Sequence, residues 1–397
     1  MNLREVGEAD GLVAPTGVGE RELIVACLRT RHSPELLPEV GSLAKKVTDW
    51  RPFLGAAARE RLKPILYSIL AGRDLVPLSV ETSLRSAYFS TAGRNALFLD
   101  SLEGLLQRLG SRGVPAIVLK GAALGQAVYC NPALRPLGDL DLLIHARHAG
   151  LLVSAAEESG FQHLITGVPS LLPIEMRSEF QLLHSGSLPI QLDVHNTLWG
   201  DIFYRESDLE TWWWDTAAEL RIGNAKAEML GPEAQLLHLC THLILGHRGA
   251  GLLWWQDAAE VVHRFAGCMD WRQLLARAAE ARRVLPLKSV MPLLAGQLGA
   301  PVPSAWLDEL EAIPASVEEA ELLASRSSAG ASAARRVWVG VRALPGIVDK
   351  VRYARPFVFP PRAYLIARYR PLGGSSTPWP LYYFRHWYRG LHGRRHS

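Results

Sequence analysis

The stretch LKGAALGQAVYCNPALRPLGDLDLLI, residues 119–144, decides how this chain is read. It sets Lys120 directly after the apolar run Val114–Leu119 and puts Asp139 and Asp141 on either side of one leucine, just ahead of a second apolar run, Leu142–Ile144. Residues 113–119 are short, apolar and punctuated by Gly113 and Pro115, and so predict a strand. Ala122–Val128 suits one short helix, Cys130–Gly138 is a loop by its Asn131, Pro132, Pro136 and Gly138, and Asp139–Ile144 predicts a second strand. Side chains i and i+2 of a strand share a face, so both carboxylates point one way while Leu140 and Leu142 point the other. Two like charges beside a sheet core repel, and a divalent cation is the natural remedy. The competing explanation is a D-x-D that caps a strand at the solvent edge, or a Gly138-Asp139 turn.

A third carboxylate shifts the balance. Glu179–His184 and Leu188–His195 read as two strands joined by Ser185-Gly186-Ser187, a three-residue hairpin loop with its glycine. Alternation along Pro189–His195 puts Asp193 on the polar side with Gln191 and His195. Three acids on neighbouring strands suit a two-cation site, in which Mg²⁺ ions roughly 4 Å apart activate an attacking oxygen and bind the leaving phosphate. Repulsion among the acids implies that removing Asp139 or Asp141 leaves the fold intact or slightly more stable. His195 either bonds to Asp193, touches substrate, or is a half-buried histidine at a strand end.

Lys120-Gly121, Tyr129, Pro132, Arg135, the run Gly138-Asp139-Leu140-Asp141-Leu142-Leu143 and then Leu192-Asp193-Val194-His195 resemble the nucleotidyltransferases of the polymerase-β-like superfamily. More narrowly, they resemble a bacterial family of uncharacterised nucleotidyltransferases whose motif opens with Leu-Lys-Gly in place of Gly-Ser. Leu237–Leu243 and Leu253–Ala258 fit its helical half, and the resemblance covers roughly residues 45–265. It implies an α+β fold: a nucleotidyltransferase core with a mixed sheet, flanked by N-terminal and C-terminal helical regions. It also implies transfer of a nucleoside monophosphate from an NTP to a hydroxyl or phosphate of an acceptor, with Mg²⁺ or Mn²⁺ as cofactor. Asp139 and Asp141 would hold the metals with Asp193, which would also orient or deprotonate the acceptor hydroxyl. Gly121 would let the backbone approach the triphosphate at a helix N-terminus. The usual serine after that glycine is Ala122 here, which leaves Lys120 to supply charge. Relatives of this branch often lie beside peptide natural-product genes, so the acceptor is a peptide, another small molecule, a protein or RNA. The rival reading is a catalytically idle module of the same fold that binds nucleic acid or membrane.

Other residues carry open alternatives. Arg135 either binds phosphate bidentately or balances the aspartates as a fixed ion-pair partner. Asp257, after Trp254-Trp255, caps or salt-bridges in the helical domain, or helps close the nucleotide pocket. His238 and His242 share a helix face and His247 and His263 follow, but no Glu or Cys completes a zinc signature. Trp212-Trp213-Trp214 packs the middle of the chain against a helical part, or marks a partner surface.

At 397 residues, with 48% hydrophobic and 21% charged residues, the chain has the composition of an ordinary globular protein with room for two or three domains. The expected parts are a loose segment 1–20, a helical region 21–110, the core 111–225, a helical domain 226–330 and a basic aromatic segment 331–397. Within them, helices are expected over Thr82–Leu109, His148–Ser159, Ala234–Leu245, Leu252–Phe265 and Trp271–Val284. Cys27, Cys130, Cys240 and Cys268 have no C-x-x-C spacing, which predicts free thiols in a reducing compartment. Arg4, Glu5, Glu8 and Asp10 interrupt any signal peptide, and the uncharged run Ser289–Leu307 contains Pro292, Pro301 and Pro303. Both point to the cytoplasm.

The net charge of +4 is unevenly spread: residues 331–397 hold thirteen Arg or Lys against one acidic residue, a local +12 that leaves −8 for the rest. That segment interleaves arginine with Tyr, Phe and Trp. It either meets a polyanion or an anionic membrane surface, or packs on the acidic body, which the six prolines of residues 351–397 favour over a long membrane-bound helix.

Overall fold

The computed structural model describes residues 18–163, 174, 177–186, 188–199, 208–317, 319–320, 323, 341, 346–369 and 380–392. Helices come first among the described residues because apolar residues recur at helical spacing and no long alternating run interrupts them. These are α1 (Val18–Thr30), α2 (Leu37–Ala44), α3 (Arg51–Arg59), α4 (Lys63–Leu70) and the 34-residue α5 (Leu78–Ser111). Helices α2, α3 and α4 each carry proline in the first turn, where its missing N–H has no helical partner to lose. The buried positions of α5, Val80, Leu84, Asn95, Phe98, Leu102, Leu105, Leu106 and Leu109, mark one stripe.

Next come β1 (Ile117–Leu119), α6 (Lys120–Ala127), β2 (Leu140–Leu143), α7 (Ala149–Glu158), β3 (Phe161–His163), β4 (Glu179–Ser185) and β5 (Pro189–His195). Helix α8 (Asp208–Asp215) precedes a second hairpin, β6 (Ala218–Ile222) and β7 (Ala225–Met229). The seven strands form one mixed sheet in the order β3-β4-β5-β2-β1-β7-β6. Strand β2 runs parallel to β5 and antiparallel to β1, and β1 runs parallel to β7. The central strands β1 and β2 are buried along their whole length, as strands covered on both faces must be.

The helical half follows: α9 (Pro232–Thr241), a π-helical turn over His242–Gly246, α10 (Leu252–Phe265), α11 (Trp271–Glu280), α12 (Val284–Leu298) and α13 (Ser304–Ala312). Part of the run expected to be helix ends and loop is the fifteen-residue helix α12, which keeps Pro292 inside it. One core cluster runs from Leu23 to Leu310 through both helical parts and the sheet. Trp212 and Trp213 are buried in it, and Trp212 Nε1 donates to Gln273 Oε1 of α11 at 3.2 Å, the packing role among the two readings of the triple tryptophan.

The basic segment contributes α14 (Ile347–Val358), α15 (Arg362–Tyr369) and α16 (Pro380–His392). Leu365, Tyr369 and Tyr382 form a small cluster of their own, apart from the main core. Among the described residues no helix is long and apolar enough to cross a membrane, and all four cysteines are free.

Candidate active site

The sheet register creates the site. Asp141 of β2 is the register partner of Asp193 on β5, and Leu119 of β1 is the partner of Asp141 from the other side. Asp139 lies just outside β2, two residues before Asp141, and is exposed. The three acids named from the sequence therefore gather at one end of the central strands.

Their surroundings differ. Asp141 is buried, and its Oδ1 accepts from Lys120 Nζ at 2.6 Å and from His195 Nε2 at 3.0 Å. Burial alone would raise its pKa, but Lys120 and then His195 hold the carboxyl well below the usual range. Asp193 is half-buried and accepts from Gln191 Nε2 at 2.8 Å. Loss of water raises its pKa despite that bond, and the charges of Asp141 and Asp139 push the same way. Asp139 accepts no hydrogen bond among the described residues, and desolvation followed by the Asp141 charge raises its pKa too. No group of three His, Cys, Asp or Glu among the described residues stands in coordinating geometry, with Asp141 Oδ1 already turned to Lys120 and His195.

Lys120 begins α6 in the left-handed region, φ 47°, which a non-glycine residue adopts only under constraint from its surroundings. That turn buries the lysine and sends its ammonium across to β2. His195, for which a bond to Asp193 was one of three readings, bonds to Asp141; its Nδ1 lies 3.8 Å from Glu179 Oε2.

Gly121 and Arg135 are linked in a way the sequence did not reveal. A Cβ at Gly121 would stand 2.8 Å from Leu137 Cδ2 and 2.9 Å from Arg135 Nη1, so the missing side chain makes room for the arginine. Arg135 is buried and bonds Asp257 of α10 with Nε to both oxygens at 3.1 Å and Nη2 to Oδ2 at 2.7 Å. Tyr129 Oη donates to the same carboxylate at 2.9 Å, and the guanidinium lies 5.1 Å from the Trp254 ring. Of the two roles open to Arg135, ion pairing is the one present, and its partner is Asp257, not Asp139 or Asp141. Asp257 thereby bolts the helical half to the core. One turn further on, Glu260 does the same for α1, accepting from Arg31 Nε at 2.6 Å.

The loop that delivers Asp139 is clamped from α5. Asn95 donates to the Pro132 and Arg135 carbonyls at 2.6 and 2.8 Å and accepts from the Leu137 amide at 3.1 Å. Arg61, after α3, donates to the Pro136 carbonyl at 2.9 Å and has its guanidinium about a van der Waals distance from the position of a Cβ on Gly138. It pairs with no carboxylate among the described residues, and its pKa is lowered by desolvation and by Arg135 while Asp139 pulls it up. No sequence motif marks Arg61 or Asn95; both come from the helical region outside the D-x-D neighbourhood.

Three histidines lie within the field of Lys120. His238 is buried with neither ring nitrogen bonded, and burial followed by the Lys120 charge takes its pKa well below the usual value. The π-helical turn swings His247 back until its Nε2 lies 3.0 Å from His242 Nε2, and burial with Lys120 pushes His242 down to about 3. Such π-bulges are frequent at functional sites.

A family model described as "Uncharacterised nucleotidyltransferase" matches residues 46–298, which span the sheet, the acids, Lys120 and the histidine-bearing helices. The chain belongs to this nucleotidyltransferase family. Its α+β fold, a mixed sheet between helical regions, is the one the Leu-Lys-Gly and D-x-D residues led us to expect. Among solved structures, an antigenic nucleotidyltransferase-like protein from Paracoccidioides brasiliensis is similar with a TM-score of 0.32 and 17% identity, over 53% of this chain and 96% of its own; a likeness that low carries no argument about activity. No curated protein matches the chain.

Proposed function

We propose that this nucleotidyltransferase family member moves a nucleoside monophosphate from an NTP to a hydroxyl or phosphate of an acceptor, using Asp139, Asp141 and Asp193. The observation that carries the reading is the pairing of Asp141 with Asp193 on adjacent parallel strands, with Asp139 two residues away, so that three carboxylates crowd where Asp139 and Asp193 bear raised pKa values. Carboxylate oxygens are the donors a hard cation takes, and relief of that repulsion favours Mg²⁺ or Mn²⁺ held by Asp139, Asp193 and Oδ2 of Asp141, since Lys120 and His195 both bond Oδ1. Bound there, such a cation would supply charge stabilisation to the transferring phosphoryl group.

The chain's own residues have complementary tasks. Asp193, the more basic of the two strand carboxylates, takes or orients the acceptor proton. Lys120 spends one of its three donors on Asp141, and the other two remain for phosphate oxygens. With Arg135 committed to Asp257, the charge that offsets the leaving pyrophosphate falls to Lys120 and Arg61, while Gly121, Arg135 and Asp257 keep the loop in position.

One observation favours the idle-module reading: Asp141 is already ion-paired with Lys120 and hydrogen-bonded by His195. Thermal stabilisation by NTP that requires Mg²⁺, together with pyrophosphate release on adding cell extract, separates the two. Stabilisation with no release across extracts and all four NTPs would favour the idle module.

A further inference from the structure

The basic segment turns an apolar face outward. On α14 the exposed positions Ile347, Val348, Val351, Arg352, Arg355 and Val358 fall on one helical stripe, with Ile347 79% exposed, and Phe359 continues it. On α16, Leu381, Phe384 and Tyr388 recur at i, i+3 and i+7, and Phe384 is 65% exposed. The two stripes meet: Trp387 lies edge-on to Phe359 at 6.2 Å and to Phe384 at 5.7 Å, while its Nε1 donates to the Val358 carbonyl at 2.6 Å. His386 Nε2 bonds the Phe357 carbonyl at 2.9 Å, which fixes α16 against the end of α14. On the opposite sides, α16 packs Tyr382 with Leu365 and Tyr369 of α15, and α14 buries Tyr353.

A helix that buries aromatics on one side and exposes aliphatics on the other has a second apolar environment to fill. Its partner's charge follows from the sequence: thirteen basic residues against one acidic over residues 331–397. Single-stranded nucleic acid would satisfy the arginines and the rings, but has no use for Ile347, Val348, Val351 and Leu381. The acyl boundary of a bilayer takes all three kinds of side chain, with aliphatics immersed, Trp and Tyr at the headgroup level, and arginines on the phosphates. We propose that helices α14 and α16 form a docking face for an anionic lipid surface, on which the protein lies without spanning it.

The test is sedimentation of the full chain with vesicles. With equimolar phosphatidylglycerol and phosphatidylcholine it should pellet, and with phosphatidylcholine alone it should stay in solution. Leu381→Ser/Phe384→Ser should weaken vesicle binding more than about tenfold, from the apolar area lost, with an unchanged melting temperature. Arg352→Gln and Arg355→Gln should each weaken it about fivefold at low salt and flatten its salt dependence. Full-length protein left in the supernatant with the anionic vesicles would overturn the proposal. So would a melting temperature lowered in the Leu381/Phe384 variant, which would mark the face as packed within the protein. A single-stranded oligonucleotide bound equally by wild type and that variant, with vesicles unbound, would assign the face to nucleic acid instead.

Discussion

Asp141 and Asp193 are neighbours in register on parallel strands, yet their carboxyl groups are driven in opposite directions. Lys120 and His195 stabilise the Asp141 anion, whereas burial and the adjacent charges disfavour that of Asp193. One strand thus carries a carboxylate that favours the anion and its neighbour a carboxylate with more affinity for a proton, a division suited to general acid–base work.

A like division separates Asp139 from Asp141, two acids that the sequence treated alike. Asp139, with its raised pKa, favours folding below the ordinary aspartate value of 3.8, and that contribution is lost as pH rises through the raised value. Asp141, with its lowered pKa, contributes above the ordinary value and loses the contribution only as pH falls toward the lowered one. At pH 7 without divalent cation, Asp139→Asn should raise the melting temperature slightly. Asp141→Asn leaves Lys120 buried without its anion and should cost about 3 kcal/mol. Calorimetry of both variants from pH 3 to 8 checks the signs.

Asp257 is expected to be structural although it sits next to candidate site residues. Asp257→Ala strands the Arg135 guanidinium and the Tyr129 hydroxyl in the core and should cost about 3–5 kcal/mol, measured by urea denaturation. Arg135→Lys should lose a large part of this as well, because an ammonium cannot reproduce the forked contact.

Gly121→Ala tests whether that glycine serves Arg135. The added methyl forces Leu137 and the pinned guanidinium to move, so a loss of about 1–3 kcal/mol is expected. If stability is unchanged while Mg-NTP affinity falls, the glycine's role is backbone access to the triphosphate.

Arg61 already tolerates a left-handed backbone at φ 58°, so Arg61→Ala changes its charge without adding strain of a new kind. Titration calorimetry should show Mg-NTP binding weakened about tenfold or more, in line with loss of a charge-assisted contact, and NMP binding little altered. Equal weakening of both would place Arg61 away from the terminal phosphates.

How much of this was legible in the sequence depended on how local each signal was. The β4–β5 hairpin and the side-by-side acids followed from alternation around Ser185-Gly186-Ser187 and from the D-x-D spacing. The β6–β7 hairpin was missed although Gly223-Asn224, with Gly223 at φ 56°, is a two-residue hairpin signal. Its strands, AELRI and AKAEM, are poor in β-branched residues and gave little propensity to notice. Arg135 with Asp257, Arg61 over Gly138 and Asn95 under the loop join residues up to 122 positions apart. No window of sequence contains such pairs; they exist only once the helices have packed on the sheet. The left-handed turn at Lys120 and the π-helical turn that pairs His242 with His247 are likewise set by tertiary packing against local preference.

The most direct test of nucleotidyl transfer at the paired strands is Asp193→Asn, assayed for pyrophosphate release from Mg-NTP in the presence of acceptor-containing extract and for Mg-NTP binding by calorimetry. Wild type should release pyrophosphate. The variant should bind Mg-NTP within a few-fold of wild type yet lose about 10²–10⁴ in rate, the usual contribution of a positioned general base. Undiminished release by the variant would contradict the assignment, as would binding lost as completely as in Asp139→Ala.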